Sequence, residues 1–211
     1  MDEAPRDLTI RCACGDLSLT AAAVHPAVAN RVACYCDGCQ AFARRMGHPE
    51  ILDADGGTER FQISPASLSI TRGREHLACM QQTARGAFRW YARCCGTPLA
   101  LTLAGPGVPF VGVDAHRVVQ VALEGGLTGA LGPVRARVNG HFRGAEARSR
   151  RADLRSLLAM LWHLVPLTFR WWRQGDHKRS PFFDASTGQP VVTPERAYAL
   201  NQPLLRTAGC R

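Results

Sequence analysis

The sequence lacks any apolar run long enough to cross a bilayer. Its longest nearly apolar stretch, 157–169, is well short of the ~20 residues that a span needs, and it contains His163 and Pro166. The first seven residues are mostly acidic or polar and lack the apolar segment of a secretory signal. We therefore expect a cytoplasmic protein, in which the nine cysteines stay reduced or bind metal.

Aromatic residues are few, and acidic residues are scarce in the second half of the chain. Residues 1–100 carry 11 basic and 10 acidic residues, whereas 101–211 carry 15 and 7, so nearly all of the net charge of +9 lies in the second half. With 46% hydrophobic and 20% charged residues, the composition is that of a globular protein and excludes a disordered or fibrous chain. A length of 211 residues suits one domain, or one domain with an appendage.

Short segments with a period of two dominate the first hundred residues and predict a mainly β fold of small antiparallel sheets. A short helix is expected over 40–45. We predict a zinc-binding β domain over 1–104 and a basic extension over 105–211, first β and then partly helical, packed on it. The predicted strands are 8–14, 17–20, 31–36, 61–63, 68–70, 76–82, 87–91 and 98–103.

Three features organise the predicted extension. A helical pattern covers 153–173 and is interrupted or kinked at Pro166. Residues 180–184, Ser-Pro-Phe-Phe-Asp, predict a turn that docks two phenylalanines on the first domain. The Thr-Pro pair at 193–194 predicts the start of a short helix over 195–200.

Seven of the nine cysteines fall in three clusters. Cys-Ala-Cys-Gly occupies 12–15, Cys-Tyr-Cys-Asp-Gly-Cys occupies 34–39, and Cys-Cys-Gly occupies 94–96. Free cysteines usually occur singly, and this spacing suits metal ligands better than disulfides. The clusters therefore predict one or two Zn²⁺ ions per chain.

The clusters divide into two candidate zinc sites. Structural sites use four protein ligands, whereas catalytic sites use three and keep one position open. The ligands of the first site are Cys12 and Cys14 with one or both of Cys94 and Cys95. The ligands of the second site, which has a vacant fourth position, are Cys34, Cys36 and Cys39.

The motifs resemble those of the glutathione-dependent formaldehyde-activating enzyme and centromere protein V superfamily. The phrases Arg-Cys-Ala-Cys-Gly at 11–15, Cys-Tyr-Cys-Asp-Gly-Cys-Gln at 34–40 and Cys-Gly-Thr at 95–97 carry the resemblance, which covers 8–104. It implies a zinc-bearing β-tent fold with a structural zinc on the first and last cysteine pairs. Ala92 stands where the family usually has the first cysteine of the last pair, and Cys94 is the candidate substitute.

The resemblance also implies a function. It places a thiol substrate such as glutathione on the zinc of the middle triplet, which makes Cys34, Cys36 and Cys39 the candidate catalytic ligands. A zinc-bound thiol has a lowered pKa and can add to an aldehyde such as formaldehyde. The expected activity is that of a carbon–sulfur lyase.

Other interpretations use the basic extension. A zinc-stabilised binding module could contact nucleic acid or an acidic partner through arginines. The apolar helix over 153–173 could lie on an anionic membrane, or pack on the first domain or in a homo-oligomer. The candidate nucleic-acid contacts are Arg135, Arg137, Arg143, Arg148, Arg150 and Arg151.

Overall fold

The computed structural model of the chain describes residues 4–103, 105–119, 125–140 and 150–196. These residues form a mainly β structure, as predicted. The helices are α1 (Asp37–Arg45), α2 (Gly126–Leu131) and α3 (Arg150–Arg173). The strands are β1 (Arg6–Arg11), β2 (Ser18–Val24), β3 (Asn30–Cys34), β4 (Thr58–Ile63), β5 (Leu68–Arg72), β6 (Leu77–Gln81), β7 (Phe88–Ala92), β8 (Pro98–Thr102), β9 (Val111–Asp114), β10 (Ala136–Val138) and β11 (Glu195–Arg196).

The strands form two sheets. The small sheet has the order β1-β2-β5 and is antiparallel. The large sheet has the order β10-β3-β4-β9-β8-β7-β6-β11, in which the two edge strands run parallel to their neighbours and the inner pairs are antiparallel. Strand β9, which follows residue 104, lies inside the large sheet between β4 and β8.

The main core lies between the two sheets. Because side chains alternate along a strand, Leu8 and Ile10 of β1 face the same way and join one apolar cluster with Phe61 of β4 and Trp90 of β7. The tight turn at 180–184 completes this core, since Phe182 stacks on Trp90 with ring centroids 4.5 Å apart. The predicted docking of the two phenylalanines is confirmed.

Two helices pack against residues of the large sheet and its flanking loops that lie outside the main core. Helix α1 packs Phe42 and Met46 against Met80 of β6 and Tyr91 of β7. Helix α3 places Met160 against the β3–β10 edge and buries Leu164, Leu167 and Trp171 beside Phe110. No helix in the described residues is both long and apolar enough to span a membrane.

The sequence patterns predicted the main strands and two of the helices well, but the helix predicted at the end of the described chain is wrong. The short helix predicted at 40–45 begins earlier, at Asp37, and the predicted helix over 153–173 is α3, which continues through Pro166. The helix predicted over 195–200 is wrong at its start, because Glu195 and Arg196 pair with β6 as β11. The rest of that segment, 197–200, lies outside the described residues.

Candidate metal centres

The first cluster forms where two turns meet. The turn between β1 and β2 carries Cys12 and Cys14, and the turn between β7 and β8 carries Cys94 and Cys95. The four Sγ atoms lie within 4.8 Å of one another. The Sγ–Sγ distances are 3.5 Å for Cys12–Cys14, 3.1 Å for Cys14–Cys94, 3.9 Å for Cys12–Cys94 and 3.8 Å for Cys94–Cys95. These separations are too long for a disulfide, whose sulfurs lie about 2.05 Å apart.

Hydrogen bonds hold the two turns together. The Ala13 N–H donates to Thr97 Oγ1 at 3.0 Å, and the same hydroxyl lies 2.9 Å from Cys95 Sγ. Burial alone would raise the pKa of Cys95, but the hydrogen bonds from the Thr97 hydroxyl and from the Cys14 backbone lower it to about 6. The arrangement therefore favours a thiolate at Cys95.

The turn between β7 and β8 requires its glycine. Gly96 has φ +75°, and a Cβ there would lie 2.7 Å from the backbone oxygen of Met46, which follows α1. His48 follows shortly after Met46, and its Nε2 atom lies 3.0 Å from the carbonyl oxygen of Cys95. The Nδ1 atom of His48 lies 2.7 Å from Glu50 Oε1, which also accepts a hydrogen bond from Arg117. His48 therefore supports the backbone of the cluster.

The second cluster forms between β3 and α1. Cys34 ends β3, Cys36 is the residue before the first turn of α1, and Cys39 lies within that turn. The Sγ atoms of Cys36 and Cys39 are 3.3 Å apart, and those of Cys39 and Cys34 are 3.8 Å apart. Among the described residues, no fourth His, Cys, Asp or Glu joins this group. The triplet therefore lies where β3 leads into the first turn of α1.

Two buried arginines point at Cys39 from the large sheet. Arg60 of β4 donates from Nη1 to Cys39 Sγ at 3.2 Å, and Arg89 of β7 does so at 3.7 Å. In the antiparallel register of β4 and β9, Arg60 lies opposite Asp114, which is also buried. Phe42 of α1 covers Arg89, whose guanidinium carbon lies 5.3 Å from the ring centroid.

These charges set the ionisation of the triplet. Hydrogen bonds from Cys34 and Cys36, and then the charges of Arg60 and Arg89, hold the pKa of Cys39 well below its usual range despite burial. Hydrogen bonds to Cys36 and Cys39 raise the pKa of Cys34. Three thiols this close favour one ionised group unless a cation neutralises the others.

The donor sets of both clusters fit a metal ion. Sulfur ligands about 2.3 Å from a tetrahedral zinc lie about 3.8 Å from one another. The Cys12–Cys94, Cys39–Cys34 and Cys94–Cys95 distances of 3.9, 3.8 and 3.8 Å match this value, and the other Sγ–Sγ distances given above are shorter, at 3.1, 3.3 and 3.5 Å. Further donors support the sulfurs, since Asn139 Nδ2 donates to Cys34 Sγ at 3.4 Å and the Leu17 N–H donates to Cys12 Sγ at 3.3 Å. Each cluster could therefore hold one metal ion.

The candidate nucleic-acid contacts that the structure describes lie at or beside β10 and at the start of α3. Arg135 donates to the backbone oxygen of Pro26 at 2.9 Å, and Arg137 is exposed on β10. Arg150 and Arg151 open α3, while Arg143 and Arg148 lie outside the described residues.

Sequence reasoning missed the two arginines behind Cys39. An arginine in the middle of a strand is ordinarily exposed, so nothing in the sequence marked Arg60 or Arg89 as partners of a thiol. In the structure, the adjacent residues Arg60 and Phe61 of β4 are both buried. Because neighbouring side chains in a strand point to opposite faces, Arg60 lies on the face of the sheet opposite to that of Phe61.

The fold and the two cysteine clusters define a mainly β protein with candidate metal centres. The chain belongs to a family described as "Family of unknown function (DUF6151)", which matches residues 5–195. It is also similar to a Rhodobacter sphaeroides protein of known crystal structure, with 22% identity and a TM-score of 0.37 over 55% of this chain and 90% of that one. No curated protein matches the chain.

Proposed function

We propose that the chain is a zinc protein whose Cys34, Cys36 and Cys39 centre has carbon–sulfur lyase activity on a thiol–aldehyde adduct. The observation that carries the proposal is the difference between the clusters. One gathers four thiols, and the other gathers three with no fourth protein ligand among the described residues. Four thiolates complete the coordination of a structural zinc, whereas three protein ligands leave one coordination position of the metal for substrate. The first cluster is therefore assigned a structural duty.

The ligand chemistry supports zinc as the metal. Thiolates are soft ligands, which select Zn²⁺, Cu(I) and iron–sulfur clusters over Mg²⁺ or Ca²⁺. A closed set of four thiolates with tetrahedral spacing is typical of structural zinc. The sulfur-rich shell of the triplet also suits the exchange of one thiolate for another.

The residues around the triplet suit a thiol substrate. A zinc ion bound there would supply an open position that accepts a thiol and lowers its pKa. Arg60 and Arg89 offset the negative charge of the three cysteine thiolates and of an incoming thiolate, because both guanidiniums are buried against Cys39. Cys34 and Cys36 are half-buried and lie on the more accessible side.

The resemblance to the formaldehyde-activating superfamily supports the reaction. A thiolate adds to the carbonyl carbon, a carbon–sulfur bond forms, and the carbonyl oxygen takes the proton that the thiol gave up. The product is an S-hydroxyalkyl adduct, and the reverse reaction breaks the same bond. No oxidant or reductant is needed. Glutathione and formaldehyde are the substrates that the resemblance implies.

The test is the exchange rate of ¹³C-labelled formaldehyde with S-hydroxymethylglutathione, measured by NMR on the zinc-loaded full chain. We expect the protein to accelerate the exchange and Cys36→Ser to return it to the uncatalysed rate, because serine is a poor zinc ligand. Cys79→Ala is the matched control, since Cys79 is buried in β6 and belongs to neither cluster.

The proposal fails if the protein carries zinc at the triplet and does not accelerate the exchange. It also fails if Cys36→Ser retains the full rate. Global unfolding of Cys36→Ser, seen by circular dichroism, would assign the triplet a structural duty and would contradict the division of labour between the two clusters.

A further inference from the structure

Helix α3 is apolar on two faces, and only one of them is covered by the described residues. Leu164, Leu167 and Trp171 are buried beside Phe110. On the other side, Trp162 is 86% exposed and Phe169 is 61% exposed. The apolar side chains of α3 that are more than half exposed are Leu154, Leu158, Trp162, Val165, Phe169 and Trp172.

The exposed side chains form one continuous stripe. At about 100° per residue, the six fall within about 80° of the helix circumference, and the stripe runs for about 27 Å. Arg155 and Arg173 lie about 20° beyond Trp162 at opposite ends of the stripe, and both are exposed. The two arginines therefore lie along the same side of the stripe, one near each of its ends.

We infer that this stripe of α3 lies flat on an anionic lipid surface. Tryptophan and phenylalanine partition into the headgroup region, and arginines along the edge can reach lipid phosphates or carboxylates while their stems stay with the apolar face. No described helix is long and apolar enough to span a membrane, which agrees with an in-plane orientation.

Charge complementarity favours anionic lipid over a second copy of the chain. Residues 150–179 contain seven basic and two acidic residues. Both acidic residues have partners within the fold, because Asp153 accepts from the Gly140 N–H, and Asp176 is buried against Ser64 and Arg179. A second copy would oppose two cationic surfaces, whereas an anionic bilayer compensates them.

The test is flotation of the full chain with vesicles of phosphatidylcholine alone and with 30% phosphatidylserine. We expect binding to the anionic vesicles, with a blue shift of tryptophan emission as Trp162 leaves water. Trp162→Ala with Phe169→Ala should weaken partitioning by roughly tenfold or more. Arg155→Glu with Arg173→Glu should weaken it by at least about 25-fold, because each positive charge lost is worth about fivefold and each glutamate adds repulsion.

Matched controls lie elsewhere on the surface. Val108→Ala removes an exposed apolar side chain, and Arg85→Glu reverses an exposed charge, so both should bind like the wild type. Equal binding to neutral and anionic vesicles, or no binding to either, overturns the inference. A dimer in light scattering that Trp162→Ala dissociates would assign the stripe to a second copy. DNA binding that the same substitution abolishes would assign it to nucleic acid.

Discussion

The buried arginine behind Cys39 offers the sharpest test of how the fold supports the triplet. Arg60 is 7% exposed and donates to Cys39 Sγ and to Thr58 Oγ1. In the antiparallel register of β4 and β9 it lies opposite Asp114, which is 1% exposed. Although burial alone would lower the pKa of Arg60, the negative charges of Cys39 and Asp114 raise it above its usual range. Arg60→Met removes the charge and keeps most of the volume.

Two effects determine the expected magnitude. Arg60→Met leaves the buried Cys39 sulfur without its charged hydrogen-bond donor, and such a loss typically costs about 1–3 kcal/mol, so the free energy of unfolding should fall by about that amount. Loss of a group that supports a metal ligand typically costs about 10–100-fold in metal affinity. Adding Asp114→Asn should recover part of the lost stability, because a neutral amide does not need the guanidinium charge.

The assay is competition for zinc with a chromophoric chelator, together with urea unfolding followed by tryptophan fluorescence. Arg44→Met is the matched control, since Arg44 is an exposed arginine of α1 that contacts Gln40 rather than a cysteine. If Arg60→Met and Arg44→Met have zinc affinities within twofold of the wild type and unfold alike, the electrostatic argument for Cys39 is refuted.

Three further predictions concern stability. Gly73→Ala should lower the free energy of unfolding by about 1–3 kcal/mol, because Gly73 has φ +68° and a Cβ there would lie 1.9 Å from the backbone oxygen of Asp16. Thermal melts measure the effect, and Gly105→Ala is the control because a Cβ at Gly105 would meet no atom within 4 Å. Asp176→Ala should lower the free energy of unfolding in urea by about 1–3 kcal/mol, because the buried Ser64 hydroxyl, which still accepts from the Ala66 N–H, loses the acceptor for its proton. An unchanged free energy of unfolding would mean that the Ser64–Asp176 hydrogen bond is not formed. Chelation of the metal should lower the melting temperature, and re-addition of zinc should restore it; equal melting curves would argue against structural metal.

Local sequence patterns predicted most of the sheet structure because each strand carries its own alternation and turn residues. Cys12 and Cys94 could be grouped from spacing and resemblance, although they lie 82 residues apart. Ala92 stands where the formaldehyde-activating superfamily that the motifs resemble usually has a cysteine. The structure keeps Ala92 in the core and brings both Cys94 and Cys95 to the cluster, because the turn through Gly96 presents the two thiols on the same side.

The support of the sites depends on tertiary contacts that local patterns do not encode. Arg60 reaches Cys39 because β4 pairs with β3, which leads into α1, and Asn139 reaches Cys34 because β10 adds in parallel to β3. The β11 segment illustrates the same limit. Thr193-Pro194 is a good helix start, but pairing with the open edge of β6 overrides it.

Whether both clusters hold zinc can be measured by elemental analysis of the full chain purified without added metal. We expect two zinc ions per chain, with one lost in Cys36→Ser and the other lost in Cys14→Ser. The two variants separate the clusters because each removes a ligand from only one of them. Protein that contains no metal, and in which the seven cysteines of the two clusters react with a thiol reagent in the folded state, would contradict the assignment of both clusters as zinc sites.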